Sequence, residues 1–126
     1  MGRELDNSEI ETCARAAHEV IRAYCIRMGN FSHASWDATP PELKALAKQS
    51  VIGIITHDFN NEQSHAAWVV AKKASGWTYG PVKNPETKEH PCLVAWAQLP
   101  FEEQVKDDLW ISTVKAMMGA LWRIPN

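Results

Sequence analysis

The stretch from Ser64 to Trp96 carries most of the side chains in this sequence that could bind a ligand. It holds three of the six tryptophans and two of the five histidines. Trp77 and Tyr79 stand two residues apart, a spacing that places both rings on one face of a β-strand. Such a face can stack on a nucleobase or a similar flat ring, worth about 1–3 kcal/mol per base. The alternative, in which both rings only cover the core, stays open.

Basic side chains accompany these rings and could neutralise a phosphate or pyrophosphate. A solvated surface is the ordinary role of such lysines and remains the alternative. His65 and Trp68 share one predicted helix face, where the histidine could bond a ribose or phosphate or cap the helix. We predict a site that combines stacking rings (Trp77, Tyr79), phosphate or ribose contacts (Lys83, His90, Lys72, Lys73), two walls (Trp68, Trp96) and His65.

His90 and Cys92 are the two residues that most resemble metal ligands or a nucleophile with its base. No CxxC or HxxxH spacing accompanies them, so a zinc site is not expected. Nothing in the sequence suggests an orienting acid or an oxyanion hole. We therefore predict no catalytic residue, no metal and no cofactor, and a protein that is not an enzyme. In this interpretation His90 bonds a backbone carbonyl and Cys92 is a small buried residue.

Composition describes an ordinary globular chain, which we take as one domain over residues 1–126. Hydrophobic residues make up 45% and charged residues 22%, with a formal net charge of −2. That charge argues against binding a nucleic-acid polymer through a basic face. Three widely spaced cysteines and the lack of a leader or a long apolar run predict reduced thiols, no membrane partner and a cytoplasmic location.

Apolar periodicity and capping signals predict four helices. Ser8 with Glu11 reads as a capping box for the first helix, and Gly29 supplies its end. Thr39 is the predicted cap of the second helix, with proline in its first turn. The predicted helices run from about Glu9 to Met28, from Pro40 to about Ile55, from Asn60 or Asn61 to about Ala74, and from Pro100 onward.

Turn signals separate the third and fourth helices and predict a small ribbon between them. Gly76 is placed to end the third helix in a left-handed turn. The predicted strands are Trp77–Tyr79 and His90–Val94, and we expect them to pair antiparallel. The expected fold class is α+β, mostly α, with about four helices and a short antiparallel β ribbon between the third and fourth.

Several strings follow one another along the second half of the chain: Ser64-His65 before Trp68, GWTYGPVK at 76–83, HPCLV at 90–94, Leu99-Pro100 and VKA at 114–116. Their order resembles the RyR domain, a repeat found in pairs in ryanodine receptor channels and singly in bacterial and phage proteins. The first half also resembles the stand-alone phage and bacterial members, through Ala14 to Cys25 and Ser35-Trp36-Asp37 before Pro40-Pro41-Glu42-Leu43.

This resemblance implies a small, mostly helical domain that binds rather than catalyses. The resemblance implies a site like the one in the paired channel repeats, where tryptophans stack on the base of an adenine nucleotide. The family tryptophan that follows a glycine corresponds to Trp77, which follows Gly76. The ligand implied is a nucleotide-type signal, either an ADP-ribose derivative or a cyclic nucleotide, which a phage protein could sequester to blunt an immune response. Asn84 and Ala95-Trp96 depart from the family pattern. With one copy per chain, a shared site would need a homo-oligomer.

A protein–protein interaction module that uses exposed tryptophans as anchors is the alternative function. Trp110 and Trp122 are twelve residues apart on the predicted fourth helix. That spacing separates them by about 120° around the helix axis. One of the two would then be left exposed for a partner.

Overall fold

The computed structural model describes residues 5–122, without the side chain of Trp122. Two single-turn 3₁₀ segments, Trp36–Ala38 and Trp96–Gln98, interrupt the connections. No helix in the described range is long and apolar enough to cross a membrane. The helices are α1 (Asn7–Arg27), α2 (Pro41–His57), α3 (Asn61–Ala74) and α4 (Phe101–Trp122), and the strands are β1 (Thr78–Tyr79) and β2 (Glu89–His90).

The start of α1 lies two residues before the predicted capping box. Asp6 accepts the N–H of Glu9 at 2.9 Å, and the Glu9 carboxylate accepts the N–H of Asp6 at 3.0 Å. Ser8 lies inside the helix and donates its hydroxyl to Asp6. The predicted Ser8–Glu11 box is therefore wrong, because an overlapping pair of the same type satisfies the first free N–H groups. Gly29 ends the helix with a φ of +86°, as predicted.

The predicted cap of α2 is wrong, whereas the predicted cap of α3 is correct. Pro40 is the N-cap of α2 and gives no side-chain cap, while the Thr39 hydroxyl donates to the carbonyl of Ser35 at 2.8 Å. The Asn60 side chain caps α3 in a capping box with Gln63. The Asn60 prediction is confirmed, and α3 packs against α2 after the short connection that joins them.

The core lies where α1 packs against α2 and α4. Trp36 is sealed within it at 1% exposure, although it comes from a loop. The Glu19 carboxylate accepts the backbone N–H of Trp36 at 2.9 Å. The indole N–H of Trp36 donates to the Glu11 carboxylate at 3.4 Å. The remaining buried members of this cluster are Cys13, Ala14, Ala17, Val51, Ile54, Ile111 and Val114.

β1 and β2 pair in parallel, with Thr78 opposite Glu89 and Tyr79 opposite His90. The prediction of an antiparallel ribbon is therefore wrong. Asn84 and Glu89 exchange two backbone hydrogen bonds of 2.9 and 3.0 Å, which close an extra turn inside the connection and reverse the chain once more before β2 begins. The strands are also shorter than predicted, because Trp77 precedes β1 and residues 91–94 turn away after His90.

Candidate functional site

Three rings from separate segments meet beside the strand pair. His90 on β2 lies edge-on to Trp68 of α3, with ring centroids 5.1 Å apart, and to Trp77, with centroids 6.1 Å apart. The left-handed turn at Gly76, with a φ of +90°, sends the chain back so that Trp77 reaches this position. We call Trp68, Trp77 and His90 the aromatic corner.

Lys72 places its ammonium group in the aromatic corner. Its Nζ lies 4.4 Å from the centroid of the Trp77 ring and 6.0 Å from that of Trp68. The residue is only 6% exposed, and the described part of the chain offers this ammonium neither an acidic partner nor a hydrogen bond. Burial lowers the pKa of Lys72, and the positive charge of Lys83 lowers it further. A buried cation without a counterion is unusual, because desolvation is normally offset by an ion pair.

The Lys72 ammonium nevertheless keeps contact with solvent. Arg22 Nε is the one sealed side-chain nitrogen or oxygen without a hydrogen bond among residues 5–122. Lys72 Nζ also makes no hydrogen bond there and is not fully sealed, so a small part of its surface touches solvent.

His90 is neutral and presents a donor. Burial is the main cause that lowers its pKa to about 4, followed by the charges of Lys83 and Lys72. Its Nδ1 accepts the N–H of Cys92 at 3.0 Å, so we assign its proton to Nε2. The predicted bond to a carbonyl is wrong for this reason. Its Nε2–H group makes no hydrogen bond with the described residues and, like Lys72 Nζ, is not fully sealed from solvent.

Cys92 is a poor nucleophile in this setting. Burial and the nearby Glu103 raise the pKa of its thiol to about 12, and its Sγ lies 3.6 Å from Glu103 Oε1. At neutral pH the thiolate is scarcely populated. No group of three potential metal ligands is found among the described residues.

Tyr79 and Trp77 differ in their surroundings. Tyr79 lies on β1 with 57% of its surface exposed, whereas Trp77 is half-buried against Lys72 and His90. Among the ring contacts of residues 5–122, none joins Trp77 to Tyr79. The two rings therefore do not touch, and of the two only Tyr79 leaves most of its surface open.

His65 packs against the aromatic corner through its contact with Trp68. It is buried, its Nε2 donates to the carbonyl of Val94 at 2.7 Å, and it stacks on Trp68 with centroids 5.5 Å apart. This one side chain ties α3 to the segment after β2. Its hydrogen bond positions the protein backbone.

Two further members of the predicted site lie apart from the corner. Trp96 lies in the second 3₁₀ turn and donates its indole N–H to Asp107 Oδ2 at 2.9 Å. It borders an open hollow of about 360 Å³ at the start of α3, together with Ile111 and Lys115. Lys73 follows Lys72 in the last turn of α3 but is exposed. Contacts thus join Trp68, Lys72, Trp77 and His90, while Tyr79 lies opposite His90 in the strand pair and Lys83 is within electrostatic range of His90 and Lys72.

Asp107 is a titratable group that sequence reasoning missed. Burial raises the pKa of its carboxyl group to about 6, against the opposing effect of the Trp96 hydrogen bond. Asp107 precedes the buried residues Ile111 and Val114 by four and seven positions, which places it on their face of α4. An acid on an apolar helix face was the signal that could have found it.

A second hollow, of about 240 Å³, lies between the end of α1 and the start of α4. Lys106 lines it and forms an ion pair with Glu103 at 2.9 Å. Unlike Lys72, this ammonium already has its counterion. The other lining residues are Tyr24, Cys25, Met28, Asn30 and Glu102.

A family model matches this chain, the one described as the RyR domain, over residues 55–126. The matched range begins near the end of α2 and includes α3, both strands and α4. It therefore includes the whole aromatic corner, Lys72, Lys83 and the hollow beside Trp96. The resemblance inferred from the strings between Ser64 and Ala116 is confirmed.

Proposed function

We propose that this chain, which belongs to the RyR domain family, is a non-enzymatic protein that binds a small anionic ligand carrying a flat ring. Nucleotide-type signals, such as an ADP-ribose derivative or a cyclic nucleotide, are the members of this class that we favour. The observation that carries the proposal is Lys72, a buried ammonium without an acidic partner in the described chain.

The electrostatics of the aromatic corner favour an anion. Two unit charges 4 Å apart attract by about 4 kcal/mol at an effective dielectric constant of about 20. Lys72 obtains no such attraction from the described residues, and Lys83 adds a second positive charge close enough to affect the pKa of both Lys72 and His90. A phosphate or pyrophosphate would supply the missing negative charge, and the His90 Nε2–H would donate to one of its oxygens.

The rings of the site favour a ligand with a flat group. Tyr79 offers an open ring beside the strand pair, and Trp77 lies two residues before it. Stacking of a base on an aromatic ring contributes about 1–3 kcal/mol. A ligand that joins a base to a phosphate would therefore use both features of the site at once.

Titration calorimetry against adenosine, AMP, cyclic AMP and ADP-ribose tests this proposal. We expect the phosphorylated members to bind and adenosine to bind more weakly, since it lacks the anion. Tyr79→Ala should weaken binding about 5- to 150-fold, the equivalent of one lost stacking contact. Phe101→Ala removes an exposed ring at the start of α4 and is the matched control. No heat of binding from any member would refute the proposal.

One use of such a binder is sequestration of a nucleotide immune signal by a phage protein in the cytoplasm, in line with the stand-alone members that the first half resembles. A homo-oligomer would be required only if two chains share the site. Light scattering with and without the bound nucleotide distinguishes the two arrangements, because binding to a site shared by two chains favours the oligomer and so raises the average molar mass.

The alternative proposal is a protein-interaction module, and the hollow beside Trp96 is the observation that favours it. Trp110 does not supply the anchor, because it is half-buried and donates its indole N–H to Ser50 Oγ at 3.0 Å. The side chain of Trp122 lies outside the described residues. A stoichiometric protein partner whose binding is lost in Trp96→Ala and kept in Tyr79→Ala would favour this alternative.

A further inference from the structure

We propose that the ε-amine of Lys72 is a nucleophile that captures phosphorylated aldehydes as a reversible imine. The inference deepens the proposed function, on which it rests for the binding of the phosphate. Bond formation itself depends on Lys72 alone. Capture of this kind needs no turnover and is compatible with a binding protein.

Geometry sets Lys72 apart from an ordinary surface lysine. Its Nζ is fixed over the Trp77 ring at 4.4 Å, in a residue that is 94% buried, and yet it retains contact with solvent. Lysines become nucleophilic when they are desolvated or placed beside another cation. Lys72 meets both conditions, because Lys83 lies within electrostatic range.

The charges around Lys72 raise the share of its neutral amine, which is in equilibrium with the ammonium form that attracts a phosphate. Burial lowers the pKa of this amine, and Lys83, from the connection between the strands, lowers it further. His90, from β2, is neutral and adds no charge. The attraction between the ammonium and the indole rings opposes this lowering by about 0.5–2 kcal/mol. A carboxylate would restore the ordinary basicity, and none is paired with Lys72 in the described part of the chain.

The reaction balances without an oxidant or a reductant. The lone pair on Nζ forms a bond to the carbonyl carbon, and the carbonyl π electrons move to oxygen. Proton transfer from nitrogen to oxygen gives a carbinolamine. Loss of water, with its oxygen taken from the carbonyl group, then leaves the C=N bond of the imine.

Lys83 gives the capture its preference for a phosphate. It is exposed, and its charge reaches both His90 and Lys72. A phosphate held by Lys83 and His90 brings a linked aldehyde to the amine and raises its local concentration. An aldehyde of the same ring without the phosphate lacks this contact.

Pyridoxal 5′-phosphate is a suitable probe, because it joins a flat ring, a phosphate and an aldehyde. The protein is incubated with it at neutral pH, the imine is reduced with borohydride, and the labelled peptides are identified by mass spectrometry. We expect saturable labelling of Lys72 that exceeds labelling of Lys73, because a lowered pKa leaves a larger share of the amine neutral at this pH. Lys73, adjacent and exposed, is an internal control that needs no variant. Labelling of Lys73 at or above the level of Lys72 would overturn the inference.

Two comparisons complete the test. Pyridoxal without the phosphate should label Lys72 more slowly, and Lys83→Gln should remove that difference while leaving Lys73 labelling unchanged. Equal labelling of Lys72 by both probes in the unaltered protein would overturn the preference for phosphorylated aldehydes. If nucleotides bind by calorimetry and Lys72 is not labelled, only the present inference fails. If Lys72 is labelled and no nucleotide binds, the nucleotide function fails.

Discussion

Asp107 on α4 accepts the indole N–H of Trp96 at 2.9 Å, and it does so from a half-buried position that disfavours its own charge. This bond attaches the 3₁₀ turn after β2 to the fourth helix. His65, which holds the neighbouring Val94 carbonyl, lies close enough to stabilise the carboxylate. The two contacts together fix the segment between the strands and α4.

The first prediction concerns the pH dependence of stability. The pKa of Asp107 is raised from 3.8 to about 6, so the folded state binds this proton more readily, and acidification from about pH 6 to 4 stabilises the fold. His90 has its pKa lowered from 6.5 to about 4, so the same acidification destabilises the fold through this residue. The two effects oppose each other in the unaltered protein.

Asp107→Asn removes the stabilising effect of acidification while keeping an acceptor for the Trp96 indole N–H. We expect the variant to be at least as stable as the parent at about pH 7.5 and to lose stability more steeply toward pH 4.5. Urea unfolding midpoints at the two pH values provide the measurement. His90→Asn is the matched variant and should change the slope in the opposite sense. Parallel slopes for Asp107→Asn and the parent would contradict the assignment.

The second prediction separates stability from binding at Lys72. Lys72→Met keeps an unbranched side chain only one atom shorter and removes a buried charge that has no acidic partner in the described chain. We expect the free energy of unfolding to be unchanged or higher by about 1 kcal/mol. Binding of phosphorylated ligands, measured by calorimetry, should be lost. Lys73→Met is the exposed control, and a variant at Lys72 that binds as well as this control would remove Lys72 from the site.

The third prediction concerns the close approach of the strands at Gly80. A Cβ atom there would lie 2.6 Å from the Cβ of Glu89 and 3.0 Å from its Cδ. Gly80→Ala should therefore push β1 and β2 apart, cost about 1–3 kcal/mol and weaken ligand binding at Tyr79. Thermal or urea unfolding and calorimetry measure the two effects.

Gly119→Ala is the control for this substitution. It lies within α4, and nothing approaches its would-be Cβ within 4 Å. Alanine is preferred over glycine inside a helix by about 0.5–1 kcal/mol, so this variant should be more stable than the parent. If Gly80→Ala behaved like Gly119→Ala, the tight strand contact would be wrong.

The fourth prediction concerns Trp36, the largest sealed side chain of the described core. Trp36→Ala should cost about 3–5 kcal/mol, because it removes packed surface and leaves a cavity. Denaturant unfolding measures this loss, which is a large share of the 5–15 kcal/mol typical of a domain. Phe31→Ala, in the same loop but exposed, should change stability by less than about 0.5 kcal/mol. Equal effects of the two substitutions would contradict the packing described for Trp36.

The helices could be predicted from the sequence because their signals are local. Asn60 and Gln63 satisfy each other's backbone groups within one turn, and Gly29 and Gly76 adopt the left-handed conformation that ends a helix. The predicted start of α1 was wrong because two capping pairs of the same type overlap there, the observed Asp6 with Glu9 and the predicted Ser8 with Glu11. In each case the decisive atoms belong to residues within four positions of one another, so spacing alone carries the information.

The candidate site was predicted as a set of residues, and its arrangement was not. Lys72 and Lys73 are adjacent and equivalent in sequence, yet one is buried against Trp77 and the other is exposed. Their difference depends on where the chain returns after Gly76, which helical periodicity does not contain. Trp96 is a similar case, since its hydrogen-bond partner Asp107 lies eleven residues away on another element.

The sequence by itself determined the family, the number of helices and the residues with the chemistry to bind an anion and a ring. Only the tertiary structure decided that the strands run parallel, that Lys72 lacks a counterion in the described chain, and that His90 offers its Nε2–H group. The physical reason is that burial and charge pairing depend on distances between segments. Desolvation and Coulomb energies vary with those distances, whereas the capping and periodicity that a sequence displays act only between near neighbours.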